Sequence, residues 1–409
     1  MTPVGNQPHV LALNGGSSSV RFAVHQARSP FRRLLHGKVD RIGRPGTNLV
    51  VNEPGAPPQV YRLEGCSHRA AVSALLARLG THPLFASVAA VGHRVVHGME
   101  HSQPERVTPA LLAELRRVTP FDPEHLPGEL ALIDEIAHRF PKLPQVVCFD
   151  TAFHRTMPRV ATLLPLPRRV AAGHVHRYGF HGLSYAYLME ALRRLDRKAA
   201  QGRVILAHLG NGASLAAVRH GASIDTSMGF TPTGGLVMGT RSGDLDPGLV
   251  DYLAREQHMT AARFRKMVNQ ESGLLGVSET SADMRDLLAR ESSDVRAAEA
   301  VDLFCYQARK WVGAYAAALG GLETLVFSGG IGENAAVVRA RICEGLSFLG
   351  IALNSKRNAA HAPLISADGG RVQVRVIATD EERMVVKAVN RTLDLDRDAG
   401  RNRGRRRSG

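Results

Sequence analysis

Residues 10–24 read VLALNGGSSSVRFAV, and residues 204–218 repeat the same pattern as VILAHLGNGASLAAV. In both segments an apolar run feeds a small-residue turn that contains Asn and Ser, and a second alternating run follows. The pattern predicts strand, turn and strand, used twice about half a chain length apart. We therefore expect a duplicated α/β fold of two domains, with an anion-facing turn in each half.

The rest of the chain is typical of the same fold class. Helical periodicity in LPGELALIDEIAHRF, SYAYLMEALRRLD, PGLVDYLAREQ and AAEAVDLFCYQARKWVGAYAAAL alternates with short strands such as QVVCFD and TLVFSGG, which predicts mixed sheets covered by helices. We expect an N-terminal α/β domain at 1–150 and a C-terminal nucleotide-binding α/β domain at 151–381. A helix at 382–396 is expected to return to the first domain, followed by a disordered basic tail at 397–409.

Composition excludes several classes of protein. The net charge is +15, but the terminal GRNRGRRRSG holds five arginines and aromatic residues are only 5%, so no nucleic-acid partner is expected. No apolar run has the roughly 20 residues needed to cross a membrane, and the first residues do not resemble a signal peptide; these features predict a cytoplasmic protein. The four cysteines are widely spaced, which predicts reduced, mostly buried thiols.

Three Gly-rich turns are candidates for anion binding: NGGSSS at 14–19, GNGAS at 210–214 and SGGIGEN at 328–334. The third lies between a predicted strand and a helix expected near Ala335, where backbone amides and the helix dipole favour a phosphate. Each turn alone is also compatible with an ordinary hairpin or loop. No P-loop motif is present in the sequence.

Four segments place Arg, His or Asp beside Gly or at a strand end: GHRVVHG at 92–98, FDTAFH at 149–154, YGFHG at 178–182 and GTRSGD at 239–244. Each such side chain alone has a packing or surface role as its simplest interpretation, but together they indicate an anion. His93, His97 and His101 are spaced four apart; the valines and glycine between them favour strand and turn over a helical zinc site.

Nine segments resemble the acetate kinase family in order and wording, over residues 10 to about 385. They are NGGSSSVRF, GHRVVHG, FDTAFHRTMP, RYGFHGLS, HLGNGAS, DTSMGFTPTGGLVMGTRSGDLDPG, SGLLGVS, DMRDL and FSGGIGEN. The resemblance implies the fold of the actin, heat-shock ATPase and sugar kinase superfamily, with an active-site cleft between the domains. It also implies a cytoplasmic homodimer that converts ATP and acetate reversibly to ADP and acetyl phosphate. A propionate or other short-chain acyl kinase is the alternative, and a nucleotide-switch ATPase is a distant one.

The chemistry agrees with this resemblance. Acetate is ionised near pH 7, so its phosphorylation needs no general base. The barrier comes from bringing an anion up to the γ-phosphate, which requires fixed cations and donors around the transferring group.

The resemblance also implies residue roles. Arg94 and Arg241 would bracket the phosphoryl group and the carboxylate, His181 would donate to the transferring group, and Asp150 would orient reactants or neutralise an Arg. The catalytic set is completed by His125. Acetate would contact Arg94, Val96, Phe180 and Pro232. The implied metal ligands for Mg²⁺, or Mn²⁺, are Asn14 and Glu381. The implied nucleotide-binding residues are Ser17, Ser19, Arg21, His208, Gly210, Asn211, Gly212, Asp283, Met284, Arg285, Gly330, Ile331, Gly332 and Asn334.

Three departures from the family pattern bear on the substrate pocket and the metal. Gly15 stands where the family has Cys, and Asp380 replaces an Asn, which adds charge beside Glu381. In PFDPEHLPGEL, at 120–130, the alignment keeps His125 but puts Glu124 in place of a pocket Leu. We expect Glu124 to point away, because a buried acid would repel the substrate.

We expect Leu126 or Phe121 to fill the space in the substrate pocket that the missing Leu would occupy.

Overall fold

The computed structural model describes residues 7–16, 19–43, 45–63 and 66–395. The chain forms two compact units. Unit 1 comprises residues 1–152 and 380–409, and unit 2 comprises residues 153–379. Glu381 belongs to unit 1, whereas the sequence division had placed it in the second domain. The predicted tail at 397–409 and the predicted ligand Ser17 lie outside the described residues.

The strands are β1 (His9–Gly15), β2 (Val20–Gln26), β3 (Arg33–Asp40), β4 (Asn48–Asn52), β5 (Gln59–Arg62), β6 (Val88–Val95), β7 (Glu105–Arg106), β8 (Gln145–Phe149), β9 (Arg203–Leu209), β10 (Ala213–Arg219), β11 (Ala222–Thr226), β12 (Thr324–Ser328) and β13 (Gln373–Val376).

The α-helices are α1 (His68–Gly80), α2 (Pro109–Arg117), α3 (Leu126–Arg139), α4 (Arg159–Thr162), α5 (Arg168–Ala171), α6 (Gly182–Leu195), α7 (Gly248–Gln257), α8 (Ala261–Lys266), α9 (Gly273–Ser278), α10 (Met284–Arg290), α11 (Val295–Leu319), α12 (Gly329–Asn334), α13 (Ala336–Cys343), α14 (Ser355–Ala359) and α15 (Glu381–Leu393). Shorter 3₁₀ turns include Asp150–Thr156, and Met267–Glu271 is a π-helical turn.

Both units are built on the same five-strand plan. The sheet of unit 1 has the order β5-β4-β3-β2-β1-β6-β8-β7, and that of unit 2 has the order β11-β10-β9-β12-β13. In β3-β2-β1-β6-β8 the successive pairings are antiparallel, antiparallel, parallel and parallel. The same succession holds across β11-β10-β9-β12-β13. The two repeated sequence segments form β1-β2 and β9-β10, so the predicted duplicated α/β fold is confirmed.

The cores follow from the apolar faces of these elements. In unit 1 one cluster lies between the sheet and helices α1 and α3, and includes Leu11, Leu75 and Ile136. Helix α15 packs on β1 and β6. This approach requires a glycine on β6, since a Cβ at Gly92 would lie 2.3 Å from Val385 Cγ1.

One sequence prediction for unit 2 is confirmed only in part. The helix expected near Ala335 is present as α13, which begins at Ala336. The Gly-rich turn expected before it is instead the short helix α12, Gly329–Asn334. Glycine disfavours helix by about 1 kcal/mol per residue, so local propensity gave no sign of α12.

Candidate active site

Four side chains of unit 1 form one network at the carboxyl ends of parallel strands. Asn14 and Arg94 are register partners near the ends of β1 and β6, Asp150 follows β8, and Glu381 begins α15. Ligands of open α/β sheets characteristically bind at the carboxyl ends of the strands. The network is therefore placed where a substrate or phosphate would be bound.

Arg94 is the centre of this network. Its Nη2 donates to Asp150 Oδ2 at 2.6 Å, and its Nη1 donates to Asn14 Oδ1 at 3.2 Å. The Nε atom lies 4.0 Å from Glu381 Oε2, which also accepts from Asn14 Nδ2 at 3.0 Å. The hydrogen bond from Arg94 to Asp150 thus supports the predicted role of Asp150 as a partner for an arginine.

The charges in this network influence one another strongly. Burial alone would lower the pKa of Arg94, but Asp150 and Glu381 hold that pKa above its usual range. Burial raises the pKa of Glu381, and Arg94 opposes the shift. The site therefore combines a permanently charged guanidinium with a buried carboxylate whose ionised form an additional cation would stabilise.

The donor set fits a hard divalent cation. Mg²⁺ is commonly held by one or two carboxylates, with phosphate and water oxygens completing its shell, and Glu381 offers such a carboxylate. Asn14 is the other predicted metal ligand. In this structure its Oδ1 accepts from Arg94 and its Nδ2 donates to Glu381. Asp380, expected to add charge beside Glu381, is also the N-cap of α15, where its Oδ1 accepts from the Arg383 N–H at 3.0 Å.

The 120–130 segment holds three residues that the sequence proposed for the pocket or the catalytic set. Leu126 is completely buried in an apolar cluster with Val95 and Phe149. Phe121 lies with its ring centroid 6.2 Å from that of His97, and His125 Nδ1 is 2.9 Å from Asp122 Oδ1. Phe121 is therefore better placed than Leu126 to fill space beside the segment after β6.

The spaced histidines do not form a helical face. His93 lies on β6, where it hydrogen-bonds Gln145 Oε1 at 2.7 Å, and burial lowers its pKa to about 4. His97 Nδ1 accepts from the Met99 N–H in the turn that follows. Among the described residues there is no group of three or more His, Cys, Asp or Glu that could hold a metal ion. The strand-and-turn prediction for this segment is confirmed.

In unit 2 the predicted phosphate-facing histidine is held by side-chain hydroxyls. His181 precedes α6 with a left-handed backbone, φ 58°. Its Nδ1 is hydrogen-bonded to Ser214 Oγ at 2.8 Å, and Ser214 Oγ also contacts the Tyr185 hydroxyl. The ring stacks on His208 with 4.3 Å between centroids. The Ser214 hydroxyl and the His208 ring thus fix the orientation of the His181 imidazole.

Arg241 meets His181 around Gly212. Arg241 Nη1 donates to the Pro232 carbonyl at 2.7 Å. A Cβ built on Gly212 would lie 2.9 Å from Arg241 Nη2 and 3.2 Å from His181 Nε2. Arg241 Nη2 and His181 Nε2 therefore both lie close to the bare backbone of the turn that follows β9.

Gly212→Ala should disturb both donors without unfolding the protein. Gly212 has no left-handed φ, and the atoms that the new methyl group meets are ends of movable side chains. Because displacement by about 1 Å can cost up to 10²-fold in rate, we expect kcat to fall by about 10- to 100-fold with little change in melting temperature. Gly313→Ala, where a Cβ meets nothing within 4 Å, is the control. A Gly212→Ala enzyme as fast as the control would contradict this arrangement.

The other Gly-rich turns of unit 2 adjoin this group. A Cβ at Gly210 would lie 3.8 Å from the Gly330 backbone N. The Gly329 N–H, however, donates to Glu333 Oε1 at 2.9 Å, and the same oxygen accepts from the Thr379 N–H at 3.2 Å. One amide expected for phosphate is thus already satisfied inside the protein, whereas Gly330 is exposed.

Further predicted nucleotide ligands differ in exposure. Asp283 caps α10 and pairs with the exposed Arg285, whose Nη2 donates to Asp283 Oδ2 at 2.6 Å. The Met284 side chain is buried, so only its backbone could meet a ligand. In unit 1 the Ser19 carbonyl accepts from the Gly16 N–H at 2.8 Å. Burial raises the pKa of Glu381, and the charge of Arg21, like that of Arg94, opposes this shift.

The comparisons with known proteins cover almost the whole chain. The sequence profile of the Acetokinase family matches residues 9–387. This chain belongs to the acetokinase family. The acetate kinase of Rhodopseudomonas palustris is 44% identical over 393 residues, which cover 94% of this chain and 98% of that protein. The propionate kinase of Citrobacter rodentium is 41% identical, covering 93% of this chain and 96% of its own length.

Solved structures of the acetokinase family superimpose on the chain. Porphyromonas gingivalis acetate kinase has a TM-score of 0.84 at 36% identity, with 94% of this chain and 100% of that chain covered. A propionate kinase from Francisella tularensis has a TM-score of 0.87 at 35% identity, with 93% and 98% covered. The fold and family predicted from the sequence are both confirmed.

Sequence reasoning gave no role to the polar side chains of Glu129 and Tyr185. Ser214 and Glu333 lie in two of the Gly-rich segments that it singled out, but neither side chain was given a role. Tyr185 and Ser214 lie within α6 and β10 and contact other side chains, so local sequence does not show what they do. Glu129 did carry a signal, because an acid on the apolar face of a predicted helix is unusual.

Proposed function

We propose that the chain transfers the γ-phosphoryl group of ATP to the carboxylate of acetate, reversibly, with Mg²⁺. The observation that carries this proposal is Arg94, held by Asp150 and Asn14 at the carboxyl ends of β1, β6 and β8. A fixed guanidinium reduces the repulsion between two anions that must approach each other. Its planar arrangement of N–H donors can bind either a carboxylate or a phosphate through two hydrogen bonds.

The proposed chemistry uses donors and no base. Acetate is already ionised at neutral pH, so its oxygen attacks phosphorus directly and the β–γ bridging oxygen leaves with ADP. Arg241 and His181 Nε2 stabilise the charge on the phosphoryl oxygens, and Arg94 binds the carboxylate. When bound, Mg²⁺ would neutralise charge on the phosphates, with Glu381 as its carboxylate ligand and Asn14 holding Glu381.

Acetate is preferred to propionate in this proposal, with propionate kinase as the second candidate. Relatives bearing both names match almost the whole chain at similar identity. The proposed contacts of the methyl group are those that the family resemblance implies, Val96, Phe180 and Pro232, and each of these side chains is buried. One methylene changes discrimination by only about 1 to 3 kcal/mol, so the preference must be measured.

A hydroxamate assay tests the function. The protein is incubated with ATP, Mg²⁺ and hydroxylamine, and formate, acetate, propionate and butyrate are compared by kcat/KM. The proposal predicts the highest value for acetate and a steep fall at butyrate. A maximum at propionate would establish the second candidate instead. Absence of acyl hydroxamate with every acid would overturn both.

We also propose that the protein works in the cytoplasm as a homodimer. Among the described residues, no helix is long and apolar enough to cross a membrane. Support for the dimer comes from α7, which has no buried residue although it carries Leu249, Val250 and Tyr252. An exposed apolar face of this kind commonly marks a protein interface.

Light scattering should therefore give about twice the chain mass of 44.2 kDa. Leu249→Lys should shift the mass toward the monomer, because it places a charge in the proposed interface. Lys356→Glu, on the exposed surface of α14, is the control and should leave the mass unchanged. A monomeric wild-type protein at micromolar concentration would contradict the dimer.

A further inference from the structure

A carboxylic acid lies in the apolar face of α3. Glu129 is 2% exposed, and the other buried residues of the helix are Leu126, Leu130, Leu132, Ile133 and Ile136. Burial of an acid is costly unless the acid is hydrogen-bonded. A buried Glu129 therefore needs a hydrogen-bond partner, and it has no role in the phosphoryl transfer proposed above.

Glu129 holds the backbone where β6 ends. The ladder between β6 and β8 ends at Val95, and the next N–H, that of Val96, donates to Glu129 Oε2 at 3.0 Å and to Oε1 at 3.3 Å. Further along, the Gly98 N–H donates to Thr151 Oγ1 at 3.3 Å. In the segment after β6, side-chain acceptors thus take the place of the sheet's backbone acceptors for the N–H groups of Val96 and Gly98.

Gly15 lies against the Glu129 side chain. A Cβ at Gly15 would lie 3.7 Å from Glu129 Cγ and 3.5 Å from Leu132 Cδ2, which is van der Waals distance from both side chains. Burial raises the pKa of Glu129 well above its usual range, and the charge of Arg94 opposes this shift. Glu129 is therefore coupled both to the backbone of Val96 and to the charge of Arg94.

We propose that Glu129 is a positioning residue for the acid substrate, which acts by fixing the Val96 backbone next to Arg94. The inference rests on the proposed function, since Arg94 and Val96 are its candidate contacts for the acid. Loss of the acceptor would leave the Val96 N–H unsatisfied and free the segment to move. The effect should fall on binding of the acid and spare binding of ATP, whose proposed ligands are supported elsewhere.

Three substitutions of Glu129 distinguish the effect of its side-chain length from the effect of its charge. Glu129→Gln keeps an acceptor at the same reach, Glu129→Asp keeps the charge one methylene shorter, and Glu129→Leu removes the acceptor at similar volume. We expect acetate KM to stay within about threefold of wild type in the Gln variant and to rise about tenfold or more in the Leu variant, as for one lost buried hydrogen bond. The Asp variant should lie between them. ATP KM should stay within about twofold throughout.

Leu132→Ala is the matched control. Leu132 lies on the same helix, is equally buried and also faces Gly15, but it accepts no hydrogen bond. It should lower the melting temperature and leave acetate KM unchanged. If the Leu variant of Glu129 does not fold, the Gln and Asp variants still test the proposal. If Glu129 acts by positioning the backbone, acetate KM should be higher in the Asp variant than in the Gln variant. If Glu129 acts through its charge, acetate KM should be higher in the Gln variant.

Three outcomes would overturn the inference. They are an unchanged acetate KM in Glu129→Leu, equal damage in the Gln and Leu variants, and an acetate KM raised as much by Leu132→Ala. Failure of the proposed function is distinguishable, because the wild-type protein would then form no acyl hydroxamate from any acid.

Discussion

Arg241→Ala should lower kcat for acetate by about 10² to 10³, the loss typical when one donor to a developing anion is removed. Arg241 Nη2 lies beside Gly212, together with His181 Nε2, and Nη1 is anchored on the Pro232 carbonyl. The guanidinium is thus held in place before the reaction, and its loss should be felt mainly in the transition state. Acetate KM should also rise, since the same group helps to bring two anions together.

Arg241→Lys gives the matching comparison. Lysine keeps the positive charge but lacks the planar fork, so it cannot donate to Pro232 and to a ligand in the same geometry. We expect the Lys variant to recover only part of the lost kcat. The measurement is steady-state kinetics on variants whose melting temperatures match wild type. An Ala variant with nearly normal kcat would show that the proposed site is wrong at its centre.

Arg94→Ala should lower both activity and stability. Asp150 is completely buried and accepts from Arg94 Nη2 at 2.6 Å. Removing one partner of a buried ion pair leaves an uncompensated charge, which typically costs about 3 to 5 kcal/mol. We therefore expect the free energy of unfolding in urea to fall by about that amount, and kcat/KM for acetate to fall by about 10² or more.

A double substitution separates the two effects of Arg94. Arg94→Ala combined with Asp150→Asn removes the stranded charge, so stability should recover in part while activity stays low. Recovery of activity along with stability would mean that Arg94 serves the fold alone. Arg94→Lys should be more stable than Arg94→Ala, since a cation remains beside Asp150 and Glu381.

The sequence predicted features that depend on neighbours along the chain. The hairpins β1-β2 and β9-β10 follow from alternating residues around a small-residue turn, and both formed as expected. Residues at the carboxyl ends of β6 and β8 were marked by their position, which brought Arg94 and Asp150 forward as candidates. Family resemblance added Glu381, which no local pattern singles out.

Features that depend on distant contacts were not predictable in this way. Asn14 and Glu381 are 367 residues apart in sequence and share a hydrogen bond. The adjacency of Asp380 to Glu381 was visible in the sequence, whereas its capping of α15 depends on where that helix begins. The role of Glu333 in closing the start of α12 likewise depends on a fold that also brings Thr379 to it.

The position of α15 also sets the order in which the protein can be completed during synthesis. This helix covers β1 and β6, and Gly92 lies against Val385 and Val389, so part of the unit 1 sheet stays uncovered until α15 leaves the ribosome. All residues of unit 2 are made before that helix. Domains usually fold as units, the N-terminal one first, but here the half that is begun first is finished last. The nascent chain must therefore keep an apolar sheet face open while more than 200 residues of unit 2 emerge.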